Sequence, residues 1–536
     1  MKKTILTLSL AGLAAGVFAQ QNKTAMKYAP IISAELANKH LSILASDAFE
    51  GRETGKPGAD KAAHYIADEF KALGLQPIVN GSYFFDVAVV QNQFKVNSFA
   101  INGTALTSGN GFVAFTGAGT KVINAKDIVF IGYGIGADNY DDLKGINIAG
   151  KVVMYLASGE PTKDGTSKIT GTATPSDWTG PRSRKRQAYI LSKNPALMLA
   201  VTMPNGTAPA GVRPGGPGGP GGARELPMTL KKEGPAAPVT ISISASTADM
   251  LLKGTGKTIA DLKAAIDASG MPASQTVATD LAVDYATQEI PVKAVDVLGF
   301  LPGSDPKLKD EVLVISGHYD HIGLVRDPNA TDKVNNGADD DGSGTTGVLT
   351  IAKAFSQAKK DGKGPRRSIL FLGNVGEEKG LLGSEYYTDH PVIPLERTIA
   401  DLNIDMIGRV GEEYIGKADS ANYVYVIGSS MLSTDLHKAG DNANNLYTKM
   451  KLDYKYDDPA DPNRFYYRSD HYNFAKHNVP IIFYFNGVHA DYHRPGDEVN
   501  KINFPLLAKR AQLVFYTAWD LANADKRPVV DGKNTR

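Results

Sequence analysis

The chain has 536 residues, 42% of them hydrophobic and 21% charged, with a net charge of +1 and no cysteine. This length exceeds what one hydrophobic core fills and implies two or three ordinary globular domains. The balanced charge gives no field that would gather nucleic acid or an anionic membrane surface, and the missing cysteine excludes disulfides, thiolate metal sites and a cysteine nucleophile.

In chain order, residues 1–19 read first as an export signal. Lys2-Lys3 precede the apolar run Ile5–Phe18, and Ala19 offers a small residue before Gln20. The run is shorter than the roughly 20 residues that span a bilayer, and no later stretch is long enough either. The expectation is cleavage and delivery to the periplasm or outside the cell, without a membrane-spanning segment. Residues 20–92 then read as the opening part of a domain, with a helix over Ala62–Leu73 stopped by Gly74.

Between 93 and 286 the character turns β-rich. Runs such as Asp127–Gly134 and Gly150–Leu156 are punctuated by glycine, and a helix at Arg186–Ser192 precedes a strand at Ala196–Thr202. The Gly/Pro tract Pro204–Pro227 has too few triplets for a collagen helix and reads as a solvated, mobile loop. From 287 to 525, the apolar strands Val312–Ser316, Ser368–Leu372, Thr398–Ile404, Tyr423–Ile427 and Pro480–Phe485 alternate with helices at Thr346–Ala358 and Phe504–Leu521. That pattern predicts an α/β domain with a mostly parallel central sheet and helices on both faces. Residues 526–536 form a tail.

Chemistry concentrates in this last domain, where ligands are expected at the C-terminal ends of strands. His318 follows Val312–Ser316 directly, and Asp320, two residues on, is placed to accept the proton of the other ring nitrogen. Asp339-Asp340-Asp341 precede Gly-Ser-Gly and a helix. Helix capping alone does not call for three adjacent aspartates, whose repulsion favours a bound cation. Glu377-Glu378 follow a strand, so one carboxylate can bind metal while its neighbour faces another way. Asp405 sits in the apolar run Ile404-Asp-Met-Ile without a basic neighbour, a costly place for a charge unless a metal shares it. His471, His489 and His493 compete for the last ligand position, and spacing does not choose between them.

These motifs together resemble the co-catalytic di-zinc exopeptidases, the group that includes bacterial leucyl aminopeptidases, glutamate carboxypeptidases and the transferrin receptor. The likeness covers roughly residues 30–90 and 287–525, and the middle segment looks like an inserted protease-associated domain. The resemblance implies two zinc ions per chain. His318 and Asp405 would bind one, Glu378 and His493 the other, with Asp340 shared between them across a cis Asp340–Asp341 bond. It casts Glu377 as the general base. It prefers His493 over His489 for its Tyr-His setting, and it places Tyr467 (or Tyr466), Asp470 and His471 on the substrate side. The expected activity is aminopeptidase hydrolysis of peptides. A carboxypeptidase shares the same centre, a glutaminyl cyclase would hold a single zinc, and a receptor-like relative would lack ligands that are present here. A calcium-binding adhesion module would leave the histidines idle, because calcium prefers oxygen.

Overall fold

The computed structural model describes residues 20–109, 111–116, 120–180, 184–203, 227–231 and 239–532. The export signal at 1–19 and all of the Gly/Pro tract except Pro227 lie outside the described residues. The chain divides into two compact units, one of Val90–Pro291 and one of the segments before and after it.

The unit Val90–Pro291 is built on a ten-stranded sheet. Its core joins Ile128, Phe130, Met154, Leu156, Leu199, Val201, Ile241 and Ile243 to Leu251, Leu262 and Ile266 of two helices, Ala245–Leu252 and Ile259–Ser269. The strand Gln275–Val292 alternates buried and exposed residues through its first half, the period of a sheet wet on one face. The helix and strand read from 186–202 occur at Arg184–Leu191 and Leu197–Thr202.

The other unit is a three-layer α/β structure. Its strands are β1 (Phe84–Asp86), β2 (Val295–Leu301), β3 (Val312–His318), β4 (Ser368–Asn374), β5 (Thr398–Ile404), β6 (Tyr423–Ile427), β7 (Lys451–Asp453) and β8 (Ile481–Phe485). They lie in the order β1-β2-β4-β3-β5-β8-β6-β7. The central four, β4-β3-β5-β8, are parallel, while β2 joins β4 and β6 joins β8 antiparallel. Strands β3, β4 and β5 are buried along their whole length, which is why they read as continuous apolar runs without alternation.

The principal helices are α1 (Ala34–Leu44), α2 (Pro57–Leu73), α3 (Gly344–Lys360), α4 (Leu382–Asp389), α5 (His471–Lys476) and α6 (Phe504–Asn523). Helix α2 starts on a proline, ends on left-handed Gly74, and buries Ala62, Ala63, Ile66 and Phe70 at helical spacing. The pleat of β4 divides the two faces. Phe371 meets Phe70 of α2 and Phe355 of α3, each at 6.4 Å between ring centres. Leu370 and Leu372 point the other way and pack with Tyr387 and Phe474 from α4 and α5. Gly299 in β2 is required by close packing, since a Cβ there would collide with Phe70 and Leu75.

Helix α6 is tied to the sheet by Arg510, which is fully buried. Its guanidinium donates to the carbonyls of Tyr423 (2.9 Å), Ile407 (2.8 Å) and Arg409 (2.8 Å). Arg510→Met would leave these carbonyls without donors. It is expected to cost this unit about 3 kcal/mol, read as a lower urea midpoint by circular dichroism with little change in the spectrum.

Candidate metal centre

The strand register sets the stage. Ser316 of β3 pairs with Leu372 of β4 and Asn403 of β5, so the three strands end nearly flush. His318 closes β3, Asp405 follows β5 at once, and Glu377 follows β4 by three residues. Side chains far apart in sequence are thereby delivered to one rim of the sheet.

His318 is 1% exposed, and its Nδ1 lies 3.0 Å from the carbonyl of Asp320. A carbonyl only accepts, so that nitrogen carries a hydrogen and Nε2 is the atom turned toward the carboxylates. Nε2 makes no hydrogen bond and sits 3.5 Å from Asp340 Oδ1, 3.7 Å from Asp405 Oδ1 and 3.8 Å from Glu377 Oε2. A second group forms beside it. His493 Nε2 is 3.1 Å from both Asp340 Oδ2 and Glu378 Oε2, and His321 Nδ1 is 2.8 Å from Glu378 Oε1. Asp340 thus faces both groups.

The electrostatics follow from this crowding. Burial disfavours a charged imidazole at His318, but Glu377, Asp405, Asp320 and Asp340 together hold its pKa well above the ordinary histidine value. His493 is likewise raised to about 10, against partial burial, by Asp340 and Glu378. Burial and the neighbouring Glu378, Asp405 and Asp470 hold Glu377 well above the usual carboxylate range, despite the opposing pull of His318.

The aspartate triplet divides its labour. Asp339 accepts from Gly408 N (2.6 Å), Ser343 Oγ (3.0 Å) and Asn486 Nδ2 (3.0 Å). Asp341 accepts from Gly344 N (2.8 Å) and Met406 N (3.0 Å), binding α3 to the turn after β5. Asp340 points into the histidine groups. Its own N–H donates to Asp497 Oδ2 at 3.0 Å, and the Asp340–Asp341 peptide is cis. His489, the competitor of His493, faces Asp339 at 3.2 Å instead.

An open cavity beside these groups is lined by Asp340, Glu377, Asp405, Met406, Phe465, Arg468, Phe483, Phe485, Val488 and Tyr492. Three sequence-level expectations need correction against this arrangement. The ring proton of His318 goes to the Asp320 carbonyl; the Asp320 carboxylate is 3.7 Å away and instead accepts from Thr54 Oγ1 (2.7 Å) and Glu377 N (3.2 Å). Asp470 and His471 are wholly buried and do not line the cavity. His471 meets the Tyr466 carbonyl (2.8 Å) and stacks on Phe483, and burial pushes its pKa down to about 3. Tyr467 does not line the cavity either; its ring packs on Tyr466 and Tyr472 with Arg464 above it, and Tyr492 occupies the cavity wall.

Residues 296–518 match the model of Peptidase family M28. That stretch is under half of the chain, and over it the chain is similar to this family. Among its relatives are a "Probable zinc metalloprotease" of Pyrenophora teres f. teres, 29% identical over 268 residues that cover 46% of this chain and 52% of that protein. "Aminopeptidase YwaD" of Bacillus subtilis is 25% identical over 230 residues, covering 41% of this chain and 43% of that one. The chain thus spans about half the length of the curated relatives it matches. In fold it is similar to the aminopeptidase from Aneurinibacillus sp. strain AM-1, with a TM-score of 0.50, 18% identity, and coverage of 95% of this chain and 98% of that one.

A relative named as a zinc metalloprotease points to zinc, and the donor set here fits that ion. Ligands about 2.1 Å from a tetrahedral ion lie about 3.4 Å apart, close to the spacings of His493 with Asp340 and Glu378 and of His318 with Asp340 and Asp405. Mixed imidazole and carboxylate donors suit zinc better than calcium or magnesium. His321 was passed over in sequence although it ends the His-Tyr-Asp-His run. Phe483 and Phe485 were likewise hidden inside an apolar strand, where only their period-two spacing placed them on one face. Dialysis of this protein against a chelator is expected to lower the melting temperature of the unit that carries the site by about 4 °C, because a ligand at 100 times its Kd contributes about 2.7 kcal/mol. Zinc, but not calcium, should restore it in a thermal-shift measurement.

Proposed function

We propose that this protein is an exported, zinc-dependent exopeptidase that removes N-terminal residues from peptides. The observation that carries the reading is the pairing of two histidine–carboxylate groups through Asp340, with Glu377 at the cavity wall. In this reading His318 and Asp405 would hold one zinc ion and Glu378 and His493 a second, with Asp340 facing both groups. Bound there, the ions would polarise the scissile carbonyl and acidify a water molecule. Glu377 takes the proton of the attacking water and returns it to the departing amine. The Asp320 carboxylate fixes Glu377 by accepting its backbone N–H.

The aromatic wall of Phe465, Phe483 and Phe485 gives an apolar side chain a place beside the ions. The 1–19 segment would direct the chain to the periplasm or beyond, and Val90–Pro291 would be the inserted protease-associated-like domain, with the catalytic domain formed by the flanking segments.

Glu377→Gln is expected to reduce turnover about a thousandfold while leaving the zinc content by elemental analysis unchanged; near-normal turnover would remove Glu377 from its role. The direction of attack is read with two peptides, one blocked at its N-terminus and one at its C-terminus. Only the C-blocked peptide should be cut, and cleavage of the N-blocked peptide alone would replace the aminopeptidase reading with a carboxypeptidase. Mass spectrometry of the protein recovered from its producing cells should find Gln20 at its start.

A further inference from the structure

The segment 51–54 lies outside the stretch matched by the family model, yet it touches the metal centre at several points. Arg52 is 1% exposed and forms no ion pair among the described residues. Its guanidinium spends its hydrogens on carbonyls from three separate stretches of chain. Nε donates to Tyr319 O (2.8 Å), one terminal nitrogen to Leu44 O (2.8 Å) and Asn336 O (2.6 Å), and the other to Gly337 O (2.8 Å). Tyr319 follows the ligand His318, Gly337 precedes the ligand Asp340, and Leu44 ends α1. The backbone of the same segment runs beside 321–323: His321 N donates to Arg52 O (3.1 Å) and Gly323 N to Gly51 O (3.0 Å). Two residues on, the buried Thr54 hydroxyl donates to Asp320 Oδ2 at 2.7 Å, while Asp320 Oδ1 receives the N–H of Glu377.

The local backbone is committed to this arrangement. Arg52 has φ +49°, a left-handed conformation uncommon for a side-chain-bearing residue. Gly51, at φ +64°, lies so near the carbonyls of Gly323 and Asn335 that an added Cβ would collide with both. Strain of this kind persists only where surrounding contacts over-determine it.

From this geometry we infer that Arg52 and Thr54 are positioning residues for the metal centre. Arg52 sets the spacing between the His318 and Asp340 loops through its planar fork, and Thr54 aims Asp320 at Glu377. The inference rests on the reading that these groups hold zinc. Lysine cannot substitute for Arg52, because a single ammonium has neither the fork nor the reach to three carbonyl stretches. A positive charge of either type would balance the surrounding aspartates, so Arg52→Lys separates geometry from charge.

The test uses the full-length protein stripped of metal and titrated with zinc against a chromogenic chelator. Arg52→Lys and Thr54→Val should each bind zinc about 10- to 100-fold more weakly than the unaltered protein. With zinc saturating, kcat should fall in both while KM stays within about twofold. If the unaltered protein takes up no zinc, the metal reading itself fails. If it binds zinc and the folded variants bind equally well, showing only a lower melting temperature of the zinc-free form, the residues are merely structural and the inference is overturned. Should Arg52→Lys not fold, Thr54→Val decides by the same titration, since it deletes one hydroxyl without changing volume appreciably.

Discussion

The structure is organised around the cost of burying negative charge. Asp320, Asp339, Asp340, Asp341, Asp405, Glu378 and Asp497 all lie within or just behind the rim where β3, β4 and β5 end, and each is at least nine-tenths buried or nearly so. Carboxylates so placed repel one another and lose water, which is tolerable only where each oxygen finds a donor or a cation. Asp339, Asp341 and Asp497 each accept from one or two backbone N–H groups of turns, and those bonds fix the turns. Asp340, Glu378 and Asp405 are left facing imidazoles and open space. The difference between the two sets separates carboxylates committed to the scaffold from those free to meet a cation.

The sheet makes this division possible. Parallel strands with flush ends bring turns from 318–321, 338–341, 375–378 and 405–408 into one plane, and an antiparallel arrangement would scatter them to opposite edges. The aromatic face of β8 then supplies an apolar wall next to the most polar part of the molecule. Water excluded by that wall strengthens every charge interaction beside it.

What was legible in the sequence is what depends on near neighbours. An aspartate inside Ile404–Ile407, a histidine at the end of an apolar strand, and a glutamate pair after another all stand out because their surroundings are local. The fold class was legible for the same reason: β3, β4 and β5 are apolar throughout. The aspartate triplet was not separable, because the groups that claim Asp339 and Asp341 come from Gly408, Asn486 and Met406, more than 60 residues away. His489 and His493 share one loop, and the carboxylates that separate them, Asp339 and Asp340, lie about 150 residues away in sequence. His471 misleads because a conspicuous motif brings it close to the centre in sequence terms, while its ring turns into the core against Phe483.

The least legible contribution is that of Gly51–Thr54. Its bonds run mostly to main-chain carbonyls and amides, which any residue supplies, so no pairing of residue types betrays them. Left-handed, non-glycine backbone recurs around the centre at Arg52, Met406 and His493, with φ of +49°, +56° and +56°. One comes from the N-terminal segment, one from the turn after β5 and one from the loop after β8. Each is the point where a chain segment bends sharply to bring a functional group, or its support, against Asp340. Backbone bent this sharply from three directions leaves the surroundings of Asp340 little freedom to relax.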